Sequence, residues 1–194
     1  MSTSLDAAAC ALFLLATVSL AGLCQSLWLA SPASCAFAAP IDGKRRLRGR
    51  RLFGDNKTWR GVVVMAPATG AAFALGAAAI PGGAAAAGLW PLTPAQYGAL
   101  GAWAGLGFMA GELPNSFLKR QLDIAPGSPP ARRAWRQIGF VVDRLDSIAG
   151  LMFALLCVVS VPAMTWAYVA VIGPMVHFGF SALMFALGGK GRMA

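Results

Sequence analysis

Long apolar segments alternate with shorter polar ones along the whole chain. A helix needs about 20 mostly apolar residues to cross the hydrocarbon core of a bilayer. The pattern predicts helices over 7–30, 61–80, 96–113, 143–161 and 163–187, with loops 31–60 and 114–142 on one side. We therefore predict an all-α fold, a single polytopic helix bundle embedded in the membrane with about five transmembrane helices.

The apolar stretch 82–90 leaves the number of helices open. It could lengthen the second helix or form a re-entrant loop, and a six-helix bundle is the alternative to the favoured five. The third and fourth helices are short and would each extend into a polar flank, towards Glu112 or Asp143. The first helix is not expected to be a cleaved signal peptide, because residues 1–9 contain Asp6 and no basic residue.

Composition supports a membrane protein. Hydrophobic residues make up 58% of the 194 residues and charged residues only 12%, whereas an ordinary soluble domain has about 25% charged residues. Such a chain has too little polar surface to cover a globule in water. The four cysteines, which lie in or near the apolar segments without CxxC spacing, are interpreted as packing residues.

The charge distribution predicts the topology. The net charge of +9 would suggest nucleic acid as a partner, but every lysine and arginine lies within 44–60, 119–144 or 190–192. With five crossings these three segments share one side of the membrane, and the positive-inside rule makes that side cytoplasmic. We therefore expect no nucleic acid partner, a location in the cytoplasmic membrane, and an N-terminus outside.

Three polar clusters border the apolar segments, and the first spans residues 53–61. Its basic residues Lys57 and Arg60 could hold phosphate oxygens. Asp55, Asn56 and Thr58 could complete the shell. The competing interpretation is a membrane-surface anchor, with Trp59 among the lipid headgroups.

The second cluster spans residues 112–120. If the third helix continues there, Glu112, Ser116 and Lys119 fall at i, i+4 and i+7 on one face, with Pro114 producing a kink. A carboxylate, a hydroxyl and an ammonium on one stripe suit a metal–phosphate site. A solvated helix end with a Glu–Lys surface pair is the competing interpretation.

The third cluster contains Asp143 and Asp146, spaced i, i+3 at the start of a membrane helix. Both carboxylates can point to one spot, and Mg²⁺ takes one or two carboxylates together with substrate phosphates. Gly139 and Gly150 on the same stripe are expected to leave room for a ligand. The competing interpretation is a helix start whose acids match the helix dipole. The role of His177, the single histidine, stays open.

Together these clusters resemble the CDP-archaeol synthases, small five-helix relatives of the CDP-diacylglycerol synthases. The resemblance rests on the strings GDNKTWRG (54–61), GELPNSFLKR (111–120), PGSP (126–129) and DRLD (143–146), in this order. The SFLKR and DRLD strings are similar to the signature of the larger phosphatidate cytidylyltransferases. The likeness covers roughly residues 40–190.

The resemblance implies a CTP-dependent cytidylyltransferase. A membrane lipid phosphate, archaeol phosphate-like or phosphatidate-like, would attack CTP and become a CDP-activated lipid with release of pyrophosphate. Asp143, Asp146 and Glu112 would hold Mg²⁺, and Lys57 and Lys119 would act in catalysis. The remaining substrate-binding residues would be Asp55, Asn56, Thr58, Arg60, Ser116, Arg120 and Arg144.

Two departures from the family pattern concern the lipid more than the chemistry. Glu112 stands where the archaeal pattern has Asp, and the His-Gly-Gly element of the larger bacterial enzymes is absent between Arg120 and Asp143. Alternative functions are a CTP-dependent kinase of a lipid alcohol and a non-enzymatic membrane transporter or assembly protein. The lipid tail, the number of metals and the presence of a homodimer stay open.

Overall fold

The computed structural model describes residues 4–125 and 133–186, which are mostly helical. The α-helices are α1 (Ala7–Ala30), α2 (Trp59–Ala78), α3 (Pro94–Gln121), α4 (Arg133–Leu156) and α5 (Ala163–Ala186). Between α1 and α2 lie a 3-10 helix (Pro32–Phe37) and a hairpin of β1 (Arg46–Leu47) and β2 (Arg50–Arg51). Each α-helix packs against the next and α5 returns to α1, so the five form a ring.

Two of these helices are long and apolar enough to cross a membrane, counting only the described residues. They are α1, with a mean hydropathy of 2.2, and α2, with a mean hydropathy of 1.7. In α5 the apolar stretch found is the shorter Ala163–Val176. The helices indicate membrane association, and the expected five crossings stay a prediction.

Local sequence accounts for where α1 and α3 begin. The Asp6 side chain accepts a hydrogen bond of 2.8 Å from the N–H of Ala9 and caps α1. At α3, Thr93 and Gln96 form a reciprocal capping box, with Pro94 at the first helical position. These side chains satisfy N–H groups that a helix start leaves without partners.

Two predicted helix boundaries need correction. The third helix was expected to end at 113, but α3 continues through Pro114 to Gln121. The fourth was expected over 143–161, but α4 spans Arg133–Leu156. Apolar content marks the part of a helix that can lie in lipid, whereas good helix formers such as Arg, Ala and Gln extend the helix itself into polar sequence.

The apolar stretch 82–90 consists of turns and does not lengthen α2. Gly82, Gly83 and Gly88 have positive φ values, a backbone conformation that ends helical geometry. Trp90 is buried, and its indole N–H donates to the carbonyl of Ser160 at 2.8 Å. The segment therefore closes one end of the helix ring.

The parts of the predicted elements at 126–132 and at 187 lie outside the described residues, and so does the side chain of His177. Among the described residues all four cysteines are free, with Cys10 buried and Cys24, Cys35 and Cys157 exposed.

Glycines bring α3 and α4 into backbone contact. A Cβ on Gly150 would lie 2.2 Å from the carbonyl oxygen of Gly107 and 2.6 Å from the Cα of Gly111. Small residues of this kind allow two helices to approach closely. Gly150 was expected to leave room for a ligand, but its space is filled by the backbone of α3.

Gly150→Ala should therefore separate α3 from α4. Overpacking of a tight contact typically costs about 1–3 kcal/mol, so we expect a lower thermal midpoint in detergent and a loss of activity. Gly179→Ala is the matched control in α5, because nothing lies within 4 Å of its added Cβ. Equal midpoints for the two variants would contradict the packing argument.

Candidate active site

Polar side chains converge where α3 and α4 meet at their close contact. The amide nitrogen of Asn115 on α3 donates to Oδ1 of Asp143 at 2.5 Å and to Oδ2 of Asp146 at 2.8 Å. One amide therefore holds two carboxylates of α4 together. This convergence agrees with the predicted i, i+3 spacing of the two aspartates.

Ser147 connects Glu112 with Asp146. Its hydroxyl lies 2.8 Å from Oε1 of Glu112 and 3.3 Å from Oδ1 of Asp146, and its backbone N–H donates to the same Oδ1 at 2.7 Å. The serine is buried. It places the carboxylate of α3 beside that of α4.

Two lysines balance part of this negative charge. Lys57, just before α2, forms an ion pair with Glu112, and Lys119 on α3 forms one with Asp143. Among the described residues, the bonds to Asp146 come from neutral donors. Residues of all three predicted clusters thus meet in one site, which we call the acidic cluster: Lys57, Glu112, Asn115, Lys119, Asp143, Asp146 and Ser147.

The loop before α2 is ordered around Asp42. The guanidinium of Arg51 donates to both Asp42 oxygens, at 2.9 and 3.3 Å. Backbone N–H groups of Lys44, Phe53 and Gly54 donate to them as well. Gly54 lies only three residues before Lys57. The hydrogen bonds to the buried Asp42 carboxylate therefore fix the segment that places Lys57 beside α3.

The pKa of Asp42 reports the strength of this arrangement. Burial alone would raise it, but the hydrogen bonds from Arg51 and from the three N–H groups outweigh burial and lower the pKa to about 2. The pKa of Arg51 is raised by its bonds to Asp42 and Asp55. The loop is therefore held by a fully ionised pair at neutral pH.

Part of the first predicted cluster lies away from the acidic cluster. Asp55 is exposed and pairs with Arg51 at 2.8 Å, and Arg60 donates to Ser34 and to the Leu29 carbonyl at the end of α1. Asn56 is exposed, and Thr58 precedes α2 with its backbone bridged to Pro40. Only Lys57 of this group contacts the acidic cluster.

The remaining predicted residues lie on α3 and α4. Ser116 is buried. Nε and Nη1 of Arg120 are buried without a hydrogen-bond partner among the residues described, which is costly for a charged group. Arg144 lies with its guanidinium 5.7 Å from the centre of the Phe178 ring on α5.

A cavity of about 170 Å³ lies inside the helix ring, next to the acidic cluster. Its apolar wall includes Leu14, Val18 and Gly22 of α1, Leu151 of α4, and Val169 and Gly173 of α5. Glu112, Arg144 and Ser147 line its polar end. We call it the central cavity.

Metal binding depends on which carboxylates converge. In the described ranges no group of three or more Asp, Glu, His or Cys side chains has an arrangement suited to a metal ion. Glu112 is engaged by Lys57 and Ser147. Asp143 and Asp146 share one amide, so their oxygens are close enough to serve a common cation. Two carboxylates suffice for Mg²⁺ when phosphates and water supply the other ligands.

Asn115 and Ser147, the two neutral residues that connect the carboxylates, are not among the site residues that the sequence predicts. Asn115 lies one helical turn from Glu112 on α3, and Ser147 follows Asp146 directly. Continuing the third helix past Pro114 would have placed Asn115 near the acidic stripe. The partner of Ser147 depends on helix packing and had no signal in the sequence.

Comparison with known proteins identifies relatives of the chain. A sequence model described as CDP-archaeol synthase, CarS-like, matches residues 23–192. A CDP-archaeol synthase of Thermococcus onnurineus is 34% identical over 188 residues, covering 89% of this chain and 98% of its own length. One of Halobacterium salinarum is 38% identical over 167 residues, covering 78% and 81%. No solved structure matches the chain.

These findings define the class of protein: the chain is an enzyme, a lipid cytidylyltransferase. Within that class it belongs to the CarS-like CDP-archaeol synthase family, because the family model covers most of the chain. The resemblance seen in the sequence strings is thereby confirmed. The family also suggests a requirement for a divalent metal.

Asp42→Asn should destabilise the loop in a pH-dependent way. The folded pKa of about 2 lies below the unfolded value of about 3.9, so the stabilisation is present above about pH 4 and is lost as the pH falls towards 2. The difference between the two pKa values corresponds to about 3 kcal/mol of stability at neutral pH.

Thermal midpoints in detergent from pH 7 to pH 2 test this, with Asp123→Asn as the control, since Asp123 forms an exposed pair with Arg50 and exposed pairs contribute only ~0–1 kcal/mol. The gap between wild type and Asp42→Asn should close as the pH falls. A gap independent of pH would show that the ionised carboxylate is not what stabilises the loop.

Proposed function

We propose that this enzyme transfers the cytidylyl group of CTP to a membrane lipid phosphate at the acidic cluster. The carrying observation is that two lysines and three carboxylates from the three predicted clusters meet at the α3–α4 contact, beside an apolar cavity. A reaction between a soluble nucleotide and a lipid needs a polar site that borders an apolar one. The family match supports the same chemistry.

In the proposed reaction an oxygen of the lipid phosphate attacks the α-phosphorus of CTP. A new P–O bond forms, the bond from the α-phosphorus to the bridging oxygen breaks, and pyrophosphate leaves with that electron pair. The product is a CDP-activated lipid. Such transfer depends on positioning and on charge neutralisation more than on covalent help from the protein.

Lys57 and Lys119 would neutralise phosphate charge. Both are bound to carboxylates, Lys57 to Glu112 and Lys119 to Asp143, and both are about one-fifth exposed. A flexible lysine can exchange a carboxylate for a phosphate by rotation of its side chain. The carboxylates therefore hold the ammonium groups in place until an anionic substrate competes for them.

Asp143 and Asp146 would hold Mg²⁺, with Glu112 beside them. A bound Mg²⁺ supplies charge neutralisation at the phosphate oxygens. Asn115 and Ser147 would orient the carboxylates through their hydrogen bonds. Loss of such supporting contacts typically costs about 10–100-fold in metal affinity or activity.

Arg120 would bind a phosphate of CTP. Its Nε and Nη1 are buried without a hydrogen-bond partner in the described part of the chain, and guanidinium N–H donors bind phosphate oxygens well. Ser116, one turn earlier on α3, would support it. Asp55, Asn56, Thr58 and Arg60 would act on the site indirectly, as neighbours of Lys57 in the loop before α2 and at the start of α2.

The membrane arrangement is the second part of the proposal. All five α-helices would cross the bilayer, with the N-terminus outside. The acidic cluster draws on the end of the 31–58 loop, the C-terminal half of α3 and the N-terminal half of α4. Alternate crossings put these three regions on one side, where the basic residues concentrate. That side would be cytoplasmic and would receive CTP.

The lipid substrate would be archaeol phosphate or a phosphatidate-like lipid. The relatives are CDP-archaeol synthases, including one of Methanosphaerula palustris that is 29% identical over 174 residues. We favour an isoprenoid ether lipid on this ground. Ether and ester linkages lie at the glycerol, away from the phosphate that reacts.

Purified enzyme with Mg²⁺, CTP labelled at the α-phosphate and archaeol phosphate should form CDP-lipid and pyrophosphate in equal amounts. Asp143→Asn and Asp146→Asn should each lower turnover at least ~100-fold, since each removes a carboxylate charge at the proposed metal position. Mass spectrometry and a pyrophosphate assay measure both products. Release of CDP with a phosphorylated lipid would instead identify a CTP-dependent kinase.

The control is Leu118→Ala, because Leu118 is an exposed residue on another face of α3. It should keep near-normal turnover. Thermal midpoints of all variants should stay near that of wild type. Activity of both asparagine variants close to that of wild type would remove the aspartates from the proposed mechanism.

Single cysteines test the topology. In a background with the four native cysteines replaced, Arg48→Cys in the hairpin turn should be protected from a membrane-impermeant maleimide in intact cells. Ala86→Cys, in the segment between α2 and α3, should be labelled. Both positions are exposed on the protein, so protection reports the side of the membrane. Labelling at position 48 together with protection at position 86 would show that the orientation is the opposite of the one proposed.

A further inference from the structure

The central cavity has a polar part and a larger apolar part. Glu112, Arg144 and Ser147 line the polar end. From there the walls are formed mainly by aliphatic and small residues, among them Val18 and Gly22 of α1. All five helices contribute to the lining. The cavity thus has the profile of an amphipathic ligand with a compact anionic head and a hydrocarbon body.

We propose that the central cavity is the lipid subsite: one hydrocarbon tail lies between α1 and α5, and Arg144 binds the lipid phosphate at the polar end. This inference rests on the proposed function and assigns its second substrate to a place in the fold. It separates Arg144 from the other basic residues of the site, Lys57, Lys119 and Arg120, which face the nucleotide.

The part of α1 that lines the cavity is long enough to accompany a tail through one leaflet of a membrane. Its lining on α1 extends from Leu14 to Leu29, which corresponds to about 22 Å at a rise of 1.5 Å per residue. The hydrocarbon core of a bilayer is about 30 Å thick, so a tail occupying one leaflet needs about half of that. Leu29 lies at the end of α1 nearest the basic loop, and Leu14 lies deep in the helix.

Arg144 is placed to hold a phosphate beside the reacting groups. It follows Asp143 in α4, and Ser147, one turn further on, contacts Glu112. The ring of Phe178 on α5 lies 5.7 Å from the guanidinium carbon, a cation–π contact that helps to position the guanidinium at the wall of the cavity. Lys57 pairs with Glu112, so the negative charge of this carboxylate is balanced before the substrates bind.

Small residues set the width available to a tail. Gly22 of α1 and Gly173 of α5 both line the cavity. A Cβ on Gly173 would lie 2.5 Å from Cδ1 of Ile148, another lining residue. An added side chain at Gly173 would therefore displace Ile148, which itself lines the cavity.

Filling the cavity should change the preferred tail length. We would measure kcat/KM for a series of lipid phosphates with short to long tails, for wild type, Gly22→Phe and the milder Ser19→Leu, where Ser19 is also a lining residue. Both variants should lower kcat/KM for the longest tail at least ~10-fold relative to the shortest. Leu27→Phe, on the exposed face of the same helix, should leave the ratio unchanged.

Arg144→Gln should weaken the binding of lipid phosphate and leave the binding of CTP nearly unchanged. Loss of a charge-assisted contact to phosphate should raise the KM for lipid phosphate at least ~10-fold, while the KM for CTP stays within ~2-fold. Retention of lipid phosphate by purified protein without CTP, measured by native mass spectrometry, should fall in the same variant. Retention of the matching uncharged lipid alcohol should not change.

Different results would contradict the proposed reaction and the proposed lipid subsite. Lipid phosphate bound in an Arg144-dependent manner without formation of a CDP-lipid would refute the proposed reaction and keep the subsite. CDP-lipid formation with unaltered tail preference in Gly22→Phe and Ser19→Leu, or with a raised KM for CTP alone in Arg144→Gln, would overturn the subsite. Thermal midpoints identify a variant that fails to fold, and Ser19→Leu then decides the tail assignment.

Discussion

The close contact of α3 with α4 is the constraint on which the rest of the site depends. Gly107 and Gly111 on one helix and Gly150 on the other leave no room for a Cβ. At this separation short side chains reach across, so Asn115 can hold two aspartates and Ser147 can contact Glu112. A wider separation would leave these polar groups unpartnered near the apolar core, which is costly. The glycines therefore set the geometry of the acidic cluster.

The second organising feature is the pairing of each cluster lysine with a carboxylate. Each lysine of the cluster is bound to a carboxylate, and the loop that carries Lys57 is held by the buried Asp42–Arg51 pair. Pairing of opposite charges offsets part of the desolvation penalty that charged groups carry beside apolar helices. In the proposed reaction it would also offer an anionic substrate ammonium groups that are already in place. The central cavity extends from this charged region into the apolar ring.

Much of this could be read from local sequence, because its causes are local. The apolar segments predicted all five α-helices, and the capping residues Thr93 and Gln96 mark a start that an apolar count alone placed too late. The strings around Lys57, Glu112 and Asp143 indicated the chemistry and the family, which the comparisons confirm. The hairpin at residues 46–51 was missed. Its turn places Arg48 and Gly49 at positive φ, and an Arg-Gly pair is not the usual sequence signal for such a turn.

The sequence by itself thus determined the helical class, the concentration of basic residues in a few segments and the residue types needed for phosphate chemistry. Hydropathy and charge are properties of single residues and their near neighbours, so they can be read from the sequence without a three-dimensional structure. Only the tertiary structure decided that Lys57 meets Glu112, that Arg60 turns to the end of α1, and that Arg144 lines the central cavity. These outcomes depend on how far apart two helices pack and how each is rotated. Those quantities are set by contacts between residues that are distant in the chain.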